Sequence, residues 1–207
     1  MTFDDGPHPE HTPALLAALA EHRSQATFFM LLTRARRHPE LVAQVVSEGH
    51  EVALHGLDHQ RLTRQPASQA VANVTAGRHE LEALSKRSVQ WFRPPYGAQN
   101  LAIWRGVRRS GLDIALWGPS LWDWKQVSQS ERASRAMSGV RPGAIVLGHD
   151  GLADESDGAD AADHPELDRS AWAAQMLGQY AEQGLRSVTL SQLCAAGRPI
   201  RGARFVR

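Results

Sequence analysis

Residues 39–59 read PELVAQVVSEGHEVALHGLDH, one complete helix-to-strand unit that ends in two histidines. Pro39 suits the first helical position, Leu41, Val42, Val45 and Val46 share one face at helical spacing, and Gly49 suits the C-terminal cap. Glu51 to His55 then reads as a buried strand, and the chain leaves it through His55-Gly56-Leu57-Asp58-His59. A strand that follows its own helix and stops at reactive side chains is the repeating unit of parallel α/β proteins, whose sites lie at the carboxyl ends of the strands.

The unit recurs in both directions. Thr12-Pro13 reads as a cap and first helical residue, Leu15, Leu16 and Leu19 continue the stripe to about Arg23, and Ala26 to Leu32 is a buried strand. Downstream, a helix carrying Val71, Val74, Leu81 and Leu84 leads to strand Val89 to Arg93, and a helix ending near Gly111 leads to strand Asp113 to Trp117. A polar helix around Ser130 to Met137 precedes strand Ala144 to Leu147, and a helix from Ser170 to Gln183 precedes strand Leu185 to Leu190. With a stub at Thr2 and Phe3, because the chain opens there directly on two aspartates, that makes seven strands. The expectation is an α/β fold: a distorted, partly closed parallel (β/α)7 barrel with a truncated first strand, one domain over residues 1–207. A shortened first strand should hold the aspartates after it less firmly. Gly151 to Arg169 breaks the rhythm with seven Asp or Glu and reads as an exposed connection.

Composition narrows the function classes. Lys and Arg number 23 against 22 Asp and Glu, which gives none of the positive field that phosphate neutralisation demands and argues against nucleic acid. Cys194 is the only cysteine, so a metal would rely on the ten histidines and on carboxylates. No run approaches the ~20 apolar residues of a membrane span.

Ionisable side chains gather where the strands stop: Asp4 and Asp5, His55 and His59, Arg93, Asp123, then His149 and Asp150. Two imidazoles four residues apart on a helical turn share a face and can reach one ion, although such a pair is commonly a solvated helix face. Asp5 completes a two-His, one-carboxylate set with a coordination position left for water, as catalytic zinc sites require. Adjacent Asp4 and Asp5 repel unless a cation or proton separates them; a metal on one and Arg93 on the other would resolve this.

Thr2 to Pro7, His55-Gly56-Leu57-Asp58-His59, Arg93-Pro94-Pro95-Tyr96-Gly97, Trp117 to Trp124, and Leu147-Gly148-His149-Asp150 resemble, in order, the five motifs of the polysaccharide deacetylase (NodB homology, carbohydrate esterase family 4) family. The resemblance implies a distorted seven-stranded barrel and hydrolysis of an acetamide on an amino sugar. It implies Asp5, His55 and His59 as ligands of a divalent metal, usually zinc, Asp4 as general base and Arg93 as its orienting partner. It further implies the Tyr96 N–H as oxyanion donor, His149 as general acid held by Asp123, and Trp124, Leu147, Pro95 and Tyr96 as substrate-lining residues. The implied partner is an acetylated carbohydrate, of peptidoglycan or chitin type, met at the cell envelope or outside the cell; oligomeric state is not implied.

Two positions depart from the family pattern. Ser120 stands where the fourth motif commonly has its first Asp, read as a change in the groove. Gly56 replaces the usual Ser or Thr, read as a looser turn. The alternatives are an O-acetyl esterase acting on xylan or a similar polymer, and a catalytically idle carbohydrate-binding domain. Trp91, Trp104, Trp122 and Trp172 could stack on sugar rings but commonly fill cores. His8, His11 and His164 read as solvated loop residues.

Overall fold

The computed structural model describes residues 1–199, Gly202 and Phe205. Its strands are β1 (Thr2–Asp4), β2 (Thr27–Leu31), β3 (Glu51–Gly56), β4 (Trp91–Phe92), β5 (Asp113–Ile114) and β6 (Leu147–His149). All pair in parallel in the order β5-β4-β3-β2-β1-β6. Eight α-helices intervene or follow among the described residues: α1 (His11–Glu21), α2 (Leu32–Arg37), α3 (Pro39–Ser47), α4 (Ala67–Ser85), α5 (Leu101–Arg109), α6 (Gln129–Met137), α7 (Arg169–Glu182) and α8 (Leu190–Ala196). No helix among the described residues is long and apolar enough to cross a membrane.

The parallel α/β barrel expected from the sequence forms, and one segment closes it. After β5 the Ala115 N–H still donates to Phe92 O at 3.0 Å, but Gly118 N–H donates to Ile145 O at 3.0 Å and Leu121 N–H to Leu147 O at 2.7 Å. Residues 113–121 thus leave β4 and arrive at β6, where Ser120 makes a parallel bridge with Leu147. This passage does what a strand at Leu185 to Leu190 was expected to do. That stretch is not a strand: Thr189 and Gln192 form a capping box, so helix α8 starts at Leu190 and ends extended pairing there. Its contacts with the barrel are isolated ones: Ser187 O accepts the Gln25 N–H at 3.0 Å, and the Leu190 N–H donates to Thr27 Oγ1 at 2.9 Å. β1 is short, as expected, yet Asp4 and Asp5 are each 3% exposed because β1 lies between β2 and β6 and pairs with both.

Strand alternation sorts the core. Phe3, Phe28, Met30, Val52, Leu54 and Phe92 join the large apolar cluster with the helices, while Phe29, Ala53, Trp91 and Ala115 form a smaller cluster with Leu190 of α8. The smaller cluster fills the barrel interior. In the same phase, Asp4 follows Thr2, His55 follows Ala53 and Arg93 follows Trp91, so the strands themselves aim these three side chains inward. Glu51 ties α8 to the barrel: it accepts from Thr27 Oγ1 at 2.7 Å and Trp91 Nε1 at 3.1 Å, and from Ser191.

Candidate active site

Arg93 reaches into the barrel and is fully buried. Its Nη1 donates to Asp4 Oδ1 at 2.6 Å and Thr2 Oγ1 at 2.9 Å, and its Nε donates to Ala115 O at 2.9 Å. The guanidinium lies 4.0 Å from the Phe29 ring centroid. Burial lowers the Arg93 pKa and the neighbouring Asp4 carboxylate opposes that shift. One oxygen of Asp4 is thereby fixed, while Oδ2 lies 3.9 Å from His55 Nε2.

Asp5 turns the other way because its backbone is left-handed, with φ 74°. Its Oδ1 sits 3.3 Å from both His55 Nε2 and His59 Nε2. Ligand atoms of Asp5, His55 and His59 lie within 4.8 Å of one another, a set that could hold a metal ion. Two local details fit such an ion. Nδ1 of His55 lies 2.8 Å from Arg93 O, which as an acceptor requires the ring proton on Nδ1 and leaves a lone pair on Nε2. Asp5 Oδ1 is buried without a hydrogen-bond partner. Burial alone would raise the Asp5 carboxyl, but the imidazoles of His55, His59 and His149 around it hold it well below the usual carboxylate range. Burial pushes His59 down to about 4 against the pull of Asp5, which keeps that imidazole neutral.

The histidine pair is not helical. His55 ends β3 and His59 follows in a bend, where Gly56 has φ 149° and a Cβ would meet Asp58 O at 2.7 Å. The expectation of a looser turn at Gly56 is corrected accordingly: the missing side chain permits a tight reversal that brings His59 back over the strand end.

Opposite this set, Asp123 accepts both the His149 N–H at 2.7 Å and a hydrogen bond from His149 Nδ1 at 2.9 Å. Burial lowers the imidazole pKa, but Asp123, with Asp5 and Asp4 beyond it, outweighs burial and pushes it up to about 9. The Trp124 ring packs edge-on against His149 at 5.2 Å. Arg132 secures this loop from α6, donating to Trp122 O at 3.3 Å and Lys125 O at 2.8 Å. Ser120 Oγ accepts the Trp122 N–H at 3.1 Å, so Ser120 shapes the same turn. Leu147 is buried but belongs to neither apolar cluster, and Pro95 is buried beside Tyr96. The Tyr96 ring stands edge-on to His59 at 4.4 Å.

Backbone strain collects at these loops. Of five non-glycine residues with positive φ among the described residues, Asp5, Tyr96 and Trp122 belong to them. Left-handed conformations at such residues cost on the order of 1–3 kcal/mol and persist where surrounding contacts enforce them.

A parallel barrel with a potential metal set at its strand ends, an arginine-held carboxylate and an aspartate-held imidazole defines a narrow class of protein. Within that class the chain belongs to the polysaccharide deacetylase family, whose model matches residues 1–115. It is 38% identical over 152 residues to a chitooligosaccharide deacetylase of Bradyrhizobium sp., covering 73% of this chain and 69% of that protein. It is 32% identical over 198 residues to a peptidoglycan-N-acetylglucosamine deacetylase of Bacillus cereus, covering 93% of this chain and 86% of that protein. The structure of the peptidoglycan deacetylase PdaC from Bacillus subtilis is similar at a TM-score of 0.79 and 30% identity, covering 94% of this chain and 88% of that one. Identity and fold therefore place the chain in a family of deacetylases.

Of the four tryptophans named from sequence, Trp172 is a core residue donating to Leu121 O at 2.9 Å, and Trp91 fills the barrel. Trp122 is tied to the site loop, 4.8 Å from the Arg135 guanidinium, and Trp104 lines an outer groove near Trp117. His8 and His11 stack on each other at 4.3 Å. The loop from Gly151 to Arg169 is largely exposed, as expected, but the sequence did not announce its contacts with the site: the Ala153 N–H donates to Asp5 Oδ2 at 3.0 Å and Asp157 O accepts the His59 N–H at 2.7 Å. Backbone groups carry both contacts, and no side-chain pattern announces them.

Proposed function

We propose that the protein is a metal-dependent hydrolase that removes N-acetyl groups from amino-sugar units of a polysaccharide or oligosaccharide of peptidoglycan or chitin type. The observation that carries this reading is the convergence of His55 Nε2 and His59 Nε2 on Asp5 Oδ1 at 3.3 Å, between the Arg93-held Asp4 and the Asp123-held His149. Asp5, His55 and His59 hold a divalent cation, zinc in this reading, which when bound polarises the acetyl carbonyl and acidifies a water.

Asp4 is the general base. Arg93 engages Oδ1, so Oδ2, on the side of the histidines, receives the water proton. The Tyr96 N–H, turned by a φ of 59°, supports the oxyanion as charge develops. His149 is the general acid: Asp123 fixes Nδ1 and favours the protonated ring, so Nε2 delivers the proton to the departing amine. Trp124, Leu147, Pro95 and Tyr96 bound the space for the acetyl group and sugar. Substrates of this type place the enzyme's work at the cell envelope or outside the cell.

Acetate release from N-acetylglucosamine oligomers and from acetylated xylan, with chelator and after zinc addition, tests the reading. The expected result is release from the oligomers, lost on chelation and restored by zinc. Release from xylan alone would make the enzyme an esterase. Binding of oligomers without release from either polymer would make it an idle carbohydrate-binding domain.

A further inference from the structure

The loop after β6 carries seven acidic residues between Gly151 and Arg169, and one of them is buried: Asp157, 1% exposed. A buried carboxylate persists only if paired and hydrogen-bonded. Arg34 of α2 supplies that pairing, with Nε 2.8 Å and Nη2 2.6 Å from Asp157 Oδ2, and the Thr33 hydroxyl donates to Oδ1 at 3.1 Å. Arg34 Nη2 also donates to Leu152 O at 2.8 Å. One guanidinium therefore fixes both ends of residues 152–157.

The segment held in this way touches three of the site's loops. The Ala153 N–H donates to Asp5 Oδ2, the oxygen turned away from the imidazoles, at 3.0 Å. Asp157 O accepts the His59 N–H at 2.7 Å. Just beyond, the Asp160 N–H donates to the Tyr96 hydroxyl at 2.8 Å, and Arg61, 3.9 Å above the Tyr96 ring, and Arg64 reach the Asp160 carboxylate at 3.4 and 2.6 Å. Two of the three proposed metal ligands thus take their orientation from a strap that is anchored on α2, outside the barrel.

We infer that the Arg34–Asp157 pair is a positioning device: through residues 152–160 it sets the geometry of Asp5 and His59, and so the affinity of the metal site. Outer contacts that orient metal ligands typically change affinity by about 10–100-fold when lost. The inference rests on the metal reading above, and its test separates the two. Zinc affinity is measured by chelator competition, the visible spectrum of the cobalt-substituted protein reports ligand geometry, and urea unfolding of the metal-free protein reports the fold. Wild type and Asp5→Ala come first: no zinc binding by wild type, or equal binding by Asp5→Ala, would overturn the metal site itself.

The strap is then tested with Asp157→Asn, with Arg34→Lys, which keeps the charge and loses the fork, and with the double variant Arg34→Met, Asp157→Leu. Replacing a buried ion pair with apolar groups is often neutral in stability, so the double variant keeps the question answerable if a single one unfolds. The expected result is a ~10–100-fold loss of zinc affinity with an altered cobalt spectrum in variants that remain folded without metal. A pair that served the fold alone would lower the stability of the metal-free and loaded forms equally. Folded variants with wild-type affinity and spectrum overturn the inference.

Discussion

Asp4 and Asp5 are neighbours in the chain with different surroundings: Asp4 reaches the Arg93 guanidinium in the barrel at 2.6 Å, and Asp5, on a left-handed backbone, faces the two imidazoles. Replacing Asp5 by Asn removes charge from the metal set, so zinc content and rate should fall together and excess zinc should recover part of the activity. Replacing Asp4 by Asn would remove the proposed proton acceptor and spare the proposed ligands. Metal should stay bound while the rate drops by about 10²- to 10⁴-fold, without rescue by zinc. Elemental analysis beside deacetylation rates decides, and an Asp4→Asn protein that loses its metal while Asp5→Asn keeps it would reverse the assignment. His149 yields a prediction about pH. Burial lowers its pKa, but Asp123, Asp5 and Asp4 face the ring and raise it to about 9, above the usual value near 6.5. A raised pKa in the folded state stabilises the metal-free protein fully below pH ~6.5, and the contribution is lost as pH rises through about 9. Zinc beside Asp5 offsets part of that negative field, so loading should move the titration down, as should Asp123→Asn. NMR of the imidazole in metal-free and loaded protein measures both shifts; a metal-free ring titrating at its ordinary value would contradict them.

At the scale of elements, what could be read from the sequence followed from periodicity. The helix stripe before Gly49 and the strand reading of Glu51 to His55 located α3 and β3, and the rule that reactive residues gather at the carboxyl ends of parallel strands picked out His55 and Arg93. In the structure strand parity turns both side chains inward. Turns were less legible, since their geometry depends on backbone conformation that neighbouring segments impose. His59 comes back over the strand end through a reversal at Gly56, not through a helical turn, and the relevant signal was the absence of a side chain where Asp58 O approaches. Leu185 to Leu190 has a strand's composition, but the Thr189 and Gln192 capping box claims its end for α8. The acidic loop hid its role because its contacts to Asp5 and His59 are backbone groups, to which composition is blind.

Across the whole molecule, a metal bound at Asp5, His55 and His59 would join β1 to the turn after β3, so ligand binding and folding should be linked. Zinc at a hundred times its dissociation constant should add about 2.7 kcal/mol, or roughly 5–10 °C in melting temperature for a chain of this size. A calorimetric scan with and without chelator checks this, and a melting point indifferent to zinc would sever the link. The arginine buried inside the barrel has a wider consequence. In many enzymes the reactive groups rest on a hydrophobic interior that can be redesigned without touching them. In this barrel the filling touches the site, because the guanidinium that grips Asp4 rests on Phe29, a ring of the small interior cluster. Attempts to thermostabilise the protein by substituting inward-facing residues would therefore act on the chemistry directly, and the tolerant ground for engineering lies in the outer layer where the helices meet the strands.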